Sequence, residues 1–194
     1  MQTNIKLIGL IGPKGVGKTT FAHELGVNFH HSVDTVILSF ADPLIAMAIA
    51  MGIYSEAVRD KTLRTQTISK LGKTPEEILK TLDSEWGRKL VHEDIWLWAM
   101  QQQLDLHDKD DEDTLVIIDD CELEEEAQWI LDKGGVVFAL SREGYPGDTD
   151  NDTEKQYSKQ VQALVYQAQI DTQGLPRTIK ETIHIINHKL DTTC

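Results

Sequence analysis

Gly12-Pro13-Lys14-Gly15-Val16-Gly17-Lys18-Thr19 decides how this chain is read. It fits G-x-x-x-x-G-K-[ST], a spacing that lets successive backbone N–H groups curl around a phosphate. The flanks agree. Ile5 to Ile11 is a short apolar run suited to a buried strand. Thr19 to Phe29 reads as a helix, with Phe21, Ala22, Leu25 and Phe29 at helical spacing. Strand, glycine loop and helix put a helix N-terminus, with its partial positive charge, at the phosphate. Gly12, Lys14, Gly15, Val16, Gly17, Lys18, Thr19 and Thr20 are therefore the candidate nucleotide-binding residues. Lys18 is expected to reach the outer phosphates and the Thr19 hydroxyl to bind Mg²⁺. The cofactors implied are ATP and Mg²⁺.

The rest of the chain alternates strands and helices. Strands are expected at Thr35–Phe40, 114–118, 136–140 and a short one at 168–170. Asp42 is expected to cap a helix with Pro43 at its first position, and that helix is apolar nearly all round. Thr74-Pro75-Glu76-Glu77 is a strong helix start, with the helix running to about Val91. A shorter helix is expected from His92 to about Leu104, then a solvated acidic loop at 105–113. Later helices are expected at 122–132, 153–167 and 175–188, and residues 142–153 read as a loop. This pattern predicts an α/β fold: a doubly wound parallel sheet of the P-loop NTPase kind, in one domain of 1–194, with a helical flap inserted at 53–105. Ligands in such sheets bind beyond the carboxyl ends of the strands.

Composition narrows the function classes. The chain has 194 residues and a net charge of −13, which argues against broad electrostatic binding to nucleic acid or anionic membrane. Cys121 and Cys194 are the two cysteines, so a disulfide framework is not expected and a reducing cytoplasm suits the chain. The apolar N-terminus reads as a strand rather than a signal peptide, and no apolar run is long enough to span a bilayer.

Phosphoryl transfer needs a carboxylate near the metal and fixed cations on the phosphates. The apolar strand 114–118 runs into Asp119-Asp120, a Walker B-like segment whose two acids are candidate metal-site residues, with Asp120 also a candidate catalytic residue. Arginine is scarce: Arg59, Arg64, Arg88, Arg142 and Arg177 are the five. Arg88, in Trp86-Gly87-Arg88, and Arg142, next to the strand at 136–140, are the favoured phosphate contacts. Arg59 and Arg64 rank below them. Trp96 and Trp98 read as core rather than as a base-stacking platform.

At these residues the sequence resembles the bacteriophage-type deoxynucleoside monophosphate kinases. The resemblance covers the phosphate loop, Ser39-Phe40-Ala41-Asp42-Pro43-Leu44, Lys73-Thr74-Pro75, Glu85-Trp86-Gly87-Arg88, His92 to Trp96, Asp120, Glu126-Ala127, Gly134-Gly135 and Ser141-Arg142. It implies transfer of the ATP γ-phosphate to a deoxynucleoside 5′-monophosphate. It also implies that Asp42 and Arg88 face the monophosphate and that Arg142 is a further phosphate contact. Phe40, Asp42, Arg64, Lys80, Trp86 and Arg88 are the candidate substrate residues, and Lys18, Arg88, Arg142 and Asp120 the candidate catalytic ones. A cytoplasmic location (that of the host cell, if phage-encoded) and a homodimer are further expectations. The departures fall on the acceptor side. Glu76 and Glu122 stand where the family has arginines, Ile45 where lysine is common, and Lys80 and Asp83 where it has glutamine and glycine. Two alternatives therefore accompany this reading: a related kinase acting on another acceptor, such as a hydroxymethylated base in DNA, and a nucleotide-binding protein without turnover.

Overall fold

The computed structural model describes residues 5–29, 33–60, 62–108, 113–142, 158–170 and 175–190. Within it five parallel strands form one sheet in the order β2-β3-β1-β4-β5. The strands are β1 (Ile5–Ile11), β2 (Asp34–Leu38), β3 (Thr114–Ile118), β4 (Val136–Arg142) and β5 (Tyr166–Ile170). The apolar runs explain the inner three: every residue of β3 is buried, as are five of the seven in β1 and in β4. Such continuous burial belongs to strands covered on both faces.

The covering helices are α1 (Lys18–Asn28), α6 (Glu124–Asp132) and α8 (Leu175–Leu190). Ile8 and Leu10 join Phe21 and Leu25 of α1 and Ile179 and Ile186 of α8 in one hydrophobic layer. Gly9, between them, faces the other way: a Cβ there would lie 2.6 Å from Cδ1 of Ile130 in α6. The fold class expected from the sequence, a doubly wound α/β sheet with the phosphate loop between β1 and α1, is the one observed.

The chain divides into two compact units, 1–39 with 104–194 and 40–103. The second is helical. It contains α2 (Asp42–Ala50), α3 (Ser55–Arg59), a 3₁₀ turn (Leu63–Thr65), α4 (Pro75–Lys80), a π-helix (Thr81–Val91) and most of α5 (Ile95–His107). Its core gathers Leu44, Ala48, Ile53, Val58, Leu79 and Trp96. Thr74 caps α4 as the sequence predicts. Its hydroxyl accepts from the Glu77 N–H at 3.1 Å, and the Glu77 carboxylate accepts from the Thr74 N–H at 2.8 Å. The backbone bond from Thr74 is the main reason the Glu77 carboxyl sits below its ordinary pKa.

Several expectations are corrected. The helix from Thr74 to Val91 is not uniformly α: after Lys80 it is wound as a π-helix. Ala41, not Asp42, is the N-cap of α2; Asp42 is its first residue and Pro43 follows. That helix, though apolar nearly all round, is not buried all round: Ile49 is exposed, as is Met51 just beyond its end. Trp96 is core, but Trp98 is 61 % exposed. The helix expected to begin at His92 begins at Ile95 and runs through Asp105, Leu106 and His107, which were expected to lie in a loop. The helix expected at 122 begins at Glu124. β4 extends to Arg142, and Tyr166 and Gln167, expected to be helical, pair in β5 because they lie beside Phe138 and Ala139. Of the helix expected at 153–167, the described residues hold one short turn, α7 (Lys159–Gln162). Residues 153–157 of that expected helix lie outside the described residues, as do Cys194 and the middle of the acidic run.

Candidate nucleotide-binding site

β1 lies at the centre of the sheet with β3 on one side and β4 on the other. The segments leaving the carboxyl ends of these three neighbours are therefore brought together. From β1 comes the phosphate loop, from β3 Asp119 and Asp120, and from β4 Arg142.

The loop's conformation depends on its glycines. Gly12, Gly15 and Gly17 have φ of 140°, 87° and 110°, values that L side chains resist. Gly12 is also hemmed in, since a Cβ there would sit 2.6 Å from the backbone oxygen of Leu140. Val16 is fully buried and anchors the loop, its N–H donating to Pro13 O at 3.1 Å. Gly17 is the N-cap of α1 and has no side chain to cap it, so the first N–H groups of the helix face outward as an anion site does. Lys14, Gly15, Thr19 and Thr20 are exposed along the same turn.

Lys18 is partly buried, and its ammonium donates to Gly12 O at 2.7 Å. Burial pulls its pKa below the ordinary lysine value, against the opposing fields of Glu122, Asp120, Asp119 and Cys121. The backbone N–H of Asp119 donates to Leu38 O at 3.2 Å, which fixes the start of the acidic pair. Ser39 donates its hydroxyl hydrogen bond to the Asp120 carboxylate. The Arg142 guanidinium reaches the loop from β4: its Nη2 lies 3.4 Å from where a Gly17 Cβ would be. Lys18, Asp119, Asp120 and Arg142 are thus assembled on one edge, as the strand order requires.

Two contributors were not singled out from the sequence. Ser39 lies directly after β2 in the Ser39-Phe40-Ala41-Asp42 stretch, and its position beside Asp120 needed the β2–β3 pairing. Glu126 is 4 % exposed, and its carboxylate accepts from the N–H groups of Glu122 and Leu123 at 2.9 and 3.1 Å. Leu123, at the N-cap, has no side-chain acceptor, so Glu126 caps α6 and orders the turn that carries the acids. Cys121 is fully buried, and burial, then Glu126 and Asp120, push its thiol well above the ordinary range. It is a neutral packing group in this turn, with Sγ 3.2 Å from where a Gly9 Cβ would be.

The candidate substrate residues belong to the second unit. Arg88 is anchored by Asp83, Nε to Oδ1 at 3.1 Å. Trp86 is 40 % exposed, with its ring 6.4 Å from that of Trp96. Phe40 is buried, Asp42 is half-buried at the start of α2, and Lys80 is exposed at the end of α4. Arg64 lies in the 3₁₀ turn, with a buried Nε that has no hydrogen-bond partner among the described residues. Glu76 lies in the first turn of α4, where the helix dipole favours an acid.

No family model matches the chain, and no curated protein matches it. Solved structures do match. One is a gluconokinase from Sinorhizobium meliloti 1021, at a TM-score of 0.45 and 12 % identity, covering 96 % of this chain and 94 % of that one. At that level the likeness carries no argument about activity. No helix among the described residues is long and apolar enough to cross a membrane.

Proposed function

We propose that the protein is an ATP-dependent kinase that transfers the γ-phosphate to a deoxynucleoside 5′-monophosphate. The observation that carries the donor half is the convergence of the glycine loop, Lys18, Asp119, Asp120 and Arg142 at the ends of three adjacent strands. Backbone N–H groups of residues 15–19 and the start of α1 hold the β- and γ-phosphates, and Lys18 neutralises the outer ones. A lysine whose charge is disfavoured by burial in the ligand-free protein regains its full partner when an anionic phosphate arrives.

The donor set also fits Mg²⁺. No group of three His, Cys, Asp or Glu side chains poised for a metal occurs among the described residues. Mg²⁺ carried on nucleotide phosphates needs only one or two protein oxygens and keeps several waters. The Thr19 hydroxyl and an Asp119 or Asp120 carboxylate supply those, and the ion would neutralise charge on the transferring phosphoryl group. Ser39 and the β2–β3 pairing hold Asp120 for this role, and Arg142 supplies a fixed cation on the nucleotide side.

The acceptor rests on the resemblance carried by Trp86-Gly87-Arg88 and Asp42. Arg88 is its principal phosphate contact, with Lys80 compensating in part for the arginine that Glu76 displaces. The test is ADP release from ATP in the presence of each common deoxynucleoside and ribonucleoside monophosphate, hydroxymethylated ones included. The expected result is release that depends on at least one deoxynucleoside monophosphate. Release stimulated by none of them, with labelled phosphate appearing in DNA instead, would contradict the acceptor.

A further inference from the structure

Among the described ion pairs, Arg88–Asp83 differs from the rest. Lys73–Glu77, Lys89–Glu85 and Arg177–Glu181 are spaced i,i+4 and His92–Asp94 i,i+2, all with side chains half or more exposed. Arg88 and Asp83 are five residues apart, and their side chains are only 21 % and 33 % exposed. In an α-helix of 3.6 residues per turn, five residues advance by about 500°, which leaves the two side chains ~140° apart around the axis. The pair would then be out of reach. It forms because residues 81–91 are wound as a π-helix, whose ladder runs from i to i+5.

Asp83 is itself held at three points. Its Oδ1 accepts from Arg88 Nε at 3.1 Å, its Oδ2 accepts from the Ser84 hydroxyl at 3.2 Å, and its main-chain oxygen accepts from the Trp96 indole N–H at 3.3 Å. Trp96 can come this close because residue 87 is glycine: a Cβ there would lie 2.9 Å from Trp96 Cε2 and 3.0 Å from the Leu82 oxygen. Trp96 is in turn fixed in the core of the second unit. A chain of contacts therefore runs from that core through Trp96 and Asp83 to the Arg88 guanidinium, and the acid stands at one of the positions where this sequence departs from the family pattern.

We propose that Asp83 is a positioning residue, holding Arg88 by its Nε edge so that the guanidinium is oriented for an acceptor phosphate, in an arrangement that requires the π winding of 81–91. The inference rests on the acceptor role given to Arg88 above. Pre-orientation matters because a misplacement of about 1 Å at such a group costs as much as 10²-fold in rate.

The experiment compares Asp83→Ala, Asp83→Asn and Arg88→Ala with the unaltered enzyme, and adds the Asp83→Ala, Arg88→Ala double variant. Each is assayed with the deoxynucleoside monophosphate that stimulates ADP release most. Asp83→Ala is expected to raise the acceptor KM about tenfold, with the ATP KM within twofold. Asp83→Asn keeps an oxygen for Arg88 Nε and is expected to fall between the two; it also guards against a misfolded alanine variant. In the Arg88→Ala background the Asp83 substitution is expected to change nothing further. The inference is overturned if Arg88→Ala abolishes acceptor use while both Asp83 variants leave the acceptor KM within twofold. It is equally overturned if Asp83→Ala costs as much without Arg88 as with it, which is the signature of a merely structural role. Arg88→Ala with undiminished turnover would instead remove the acceptor role of Arg88, and this inference with it.

Discussion

Lys18 and Arg88 are each a single cation on which a phosphate contact is proposed, and the molecule holds them by opposite means. Lys18 is placed by backbone. Its loop is shaped by three glycines with positive φ, its ammonium rests on the Gly12 carbonyl, and strand pairing delivers the acids around it. Arg88 is placed by side chains: a carboxylate five residues away, a tryptophan packed on a glycine, and a rare helical winding. A backbone-built site depends on a few glycines and a lysine. A side-chain-built site depends on a network whose members can be exchanged; Glu76, Lys80 and Asp83 belong to that unit, whereas Glu122 lies beside Lys18 in the sheet unit.

The largest expected effect separates the two cations. Lys18→Met should lower phosphoryl transfer by about 10²–10³-fold, since it removes a fixed charge from the outer phosphates. The ligand-free protein should melt no lower than the unaltered one, because burial already disfavours that charge. Transfer within a fewfold of normal would break the contrast at its donor end.

Next come two glycine substitutions, one in each unit. Gly12→Ala places a Cβ 2.6 Å from the Leu140 oxygen at a φ of 140°, and should cost about 2–3 kcal/mol together with ATP affinity. Gly87→Ala presses on Trp96 and should cost about 1–3 kcal/mol. Its hydrogen-exchange protection should fall in residues 40–103, with ATP affinity within twofold of normal. Equal loss of ATP affinity in both would erase the distinction between the units.

How far the sequence could be read follows the same division. The glycine loop, β1, β3 and β4 were legible because each is a local pattern: glycines at fixed spacing and uninterrupted apolar runs. The order of the strands then does the assembling, with no further demand on the residues. The π-helix was not legible. Nothing local in Thr81 to Val91 marks an i to i+5 ladder, and the reason for a glycine at 87 lies in Trp96, a residue of a different helix. Ser39 escaped notice for a related reason, since its partner Asp120 is far along the chain. Tyr166 and Gln167 were read as helix from local composition, and pairing with β4 overrides that preference.

Smaller effects refine the donor side. Glu126→Ala should cost about 1–3 kcal/mol in urea unfolding, by leaving the Glu122 and Leu123 N–H groups without their buried carboxylate. A change under about 0.5 kcal/mol would show that water replaces the cap. The smallest effect is in pH dependence. The folded pKa of Lys18 lies below the ordinary 10.5, so the unfolded chain binds more protons between the two values and stability rises with pH across that window. The burden of the buried charge is fully present below the folded pKa and is relieved as pH climbs toward the unfolded value. The stability advantage of Lys18→Met over the unaltered protein should therefore shrink as pH approaches 10.5. A gap that stays constant or widens would contradict burial as the cause.

ATP affinity and γ-phosphate transfer, measured side by side in Arg88→Ala, test this division between donor and acceptor most directly. Calorimetric binding of Mg²⁺–ATP is expected within twofold of the unaltered protein. Transfer of labelled phosphate to the preferred deoxynucleoside monophosphate is expected to fall by about 10²-fold or more. Transfer at the normal rate, or ATP binding lost along with transfer, would contradict a donor site built on the sheet unit and an acceptor contact built on the helical one.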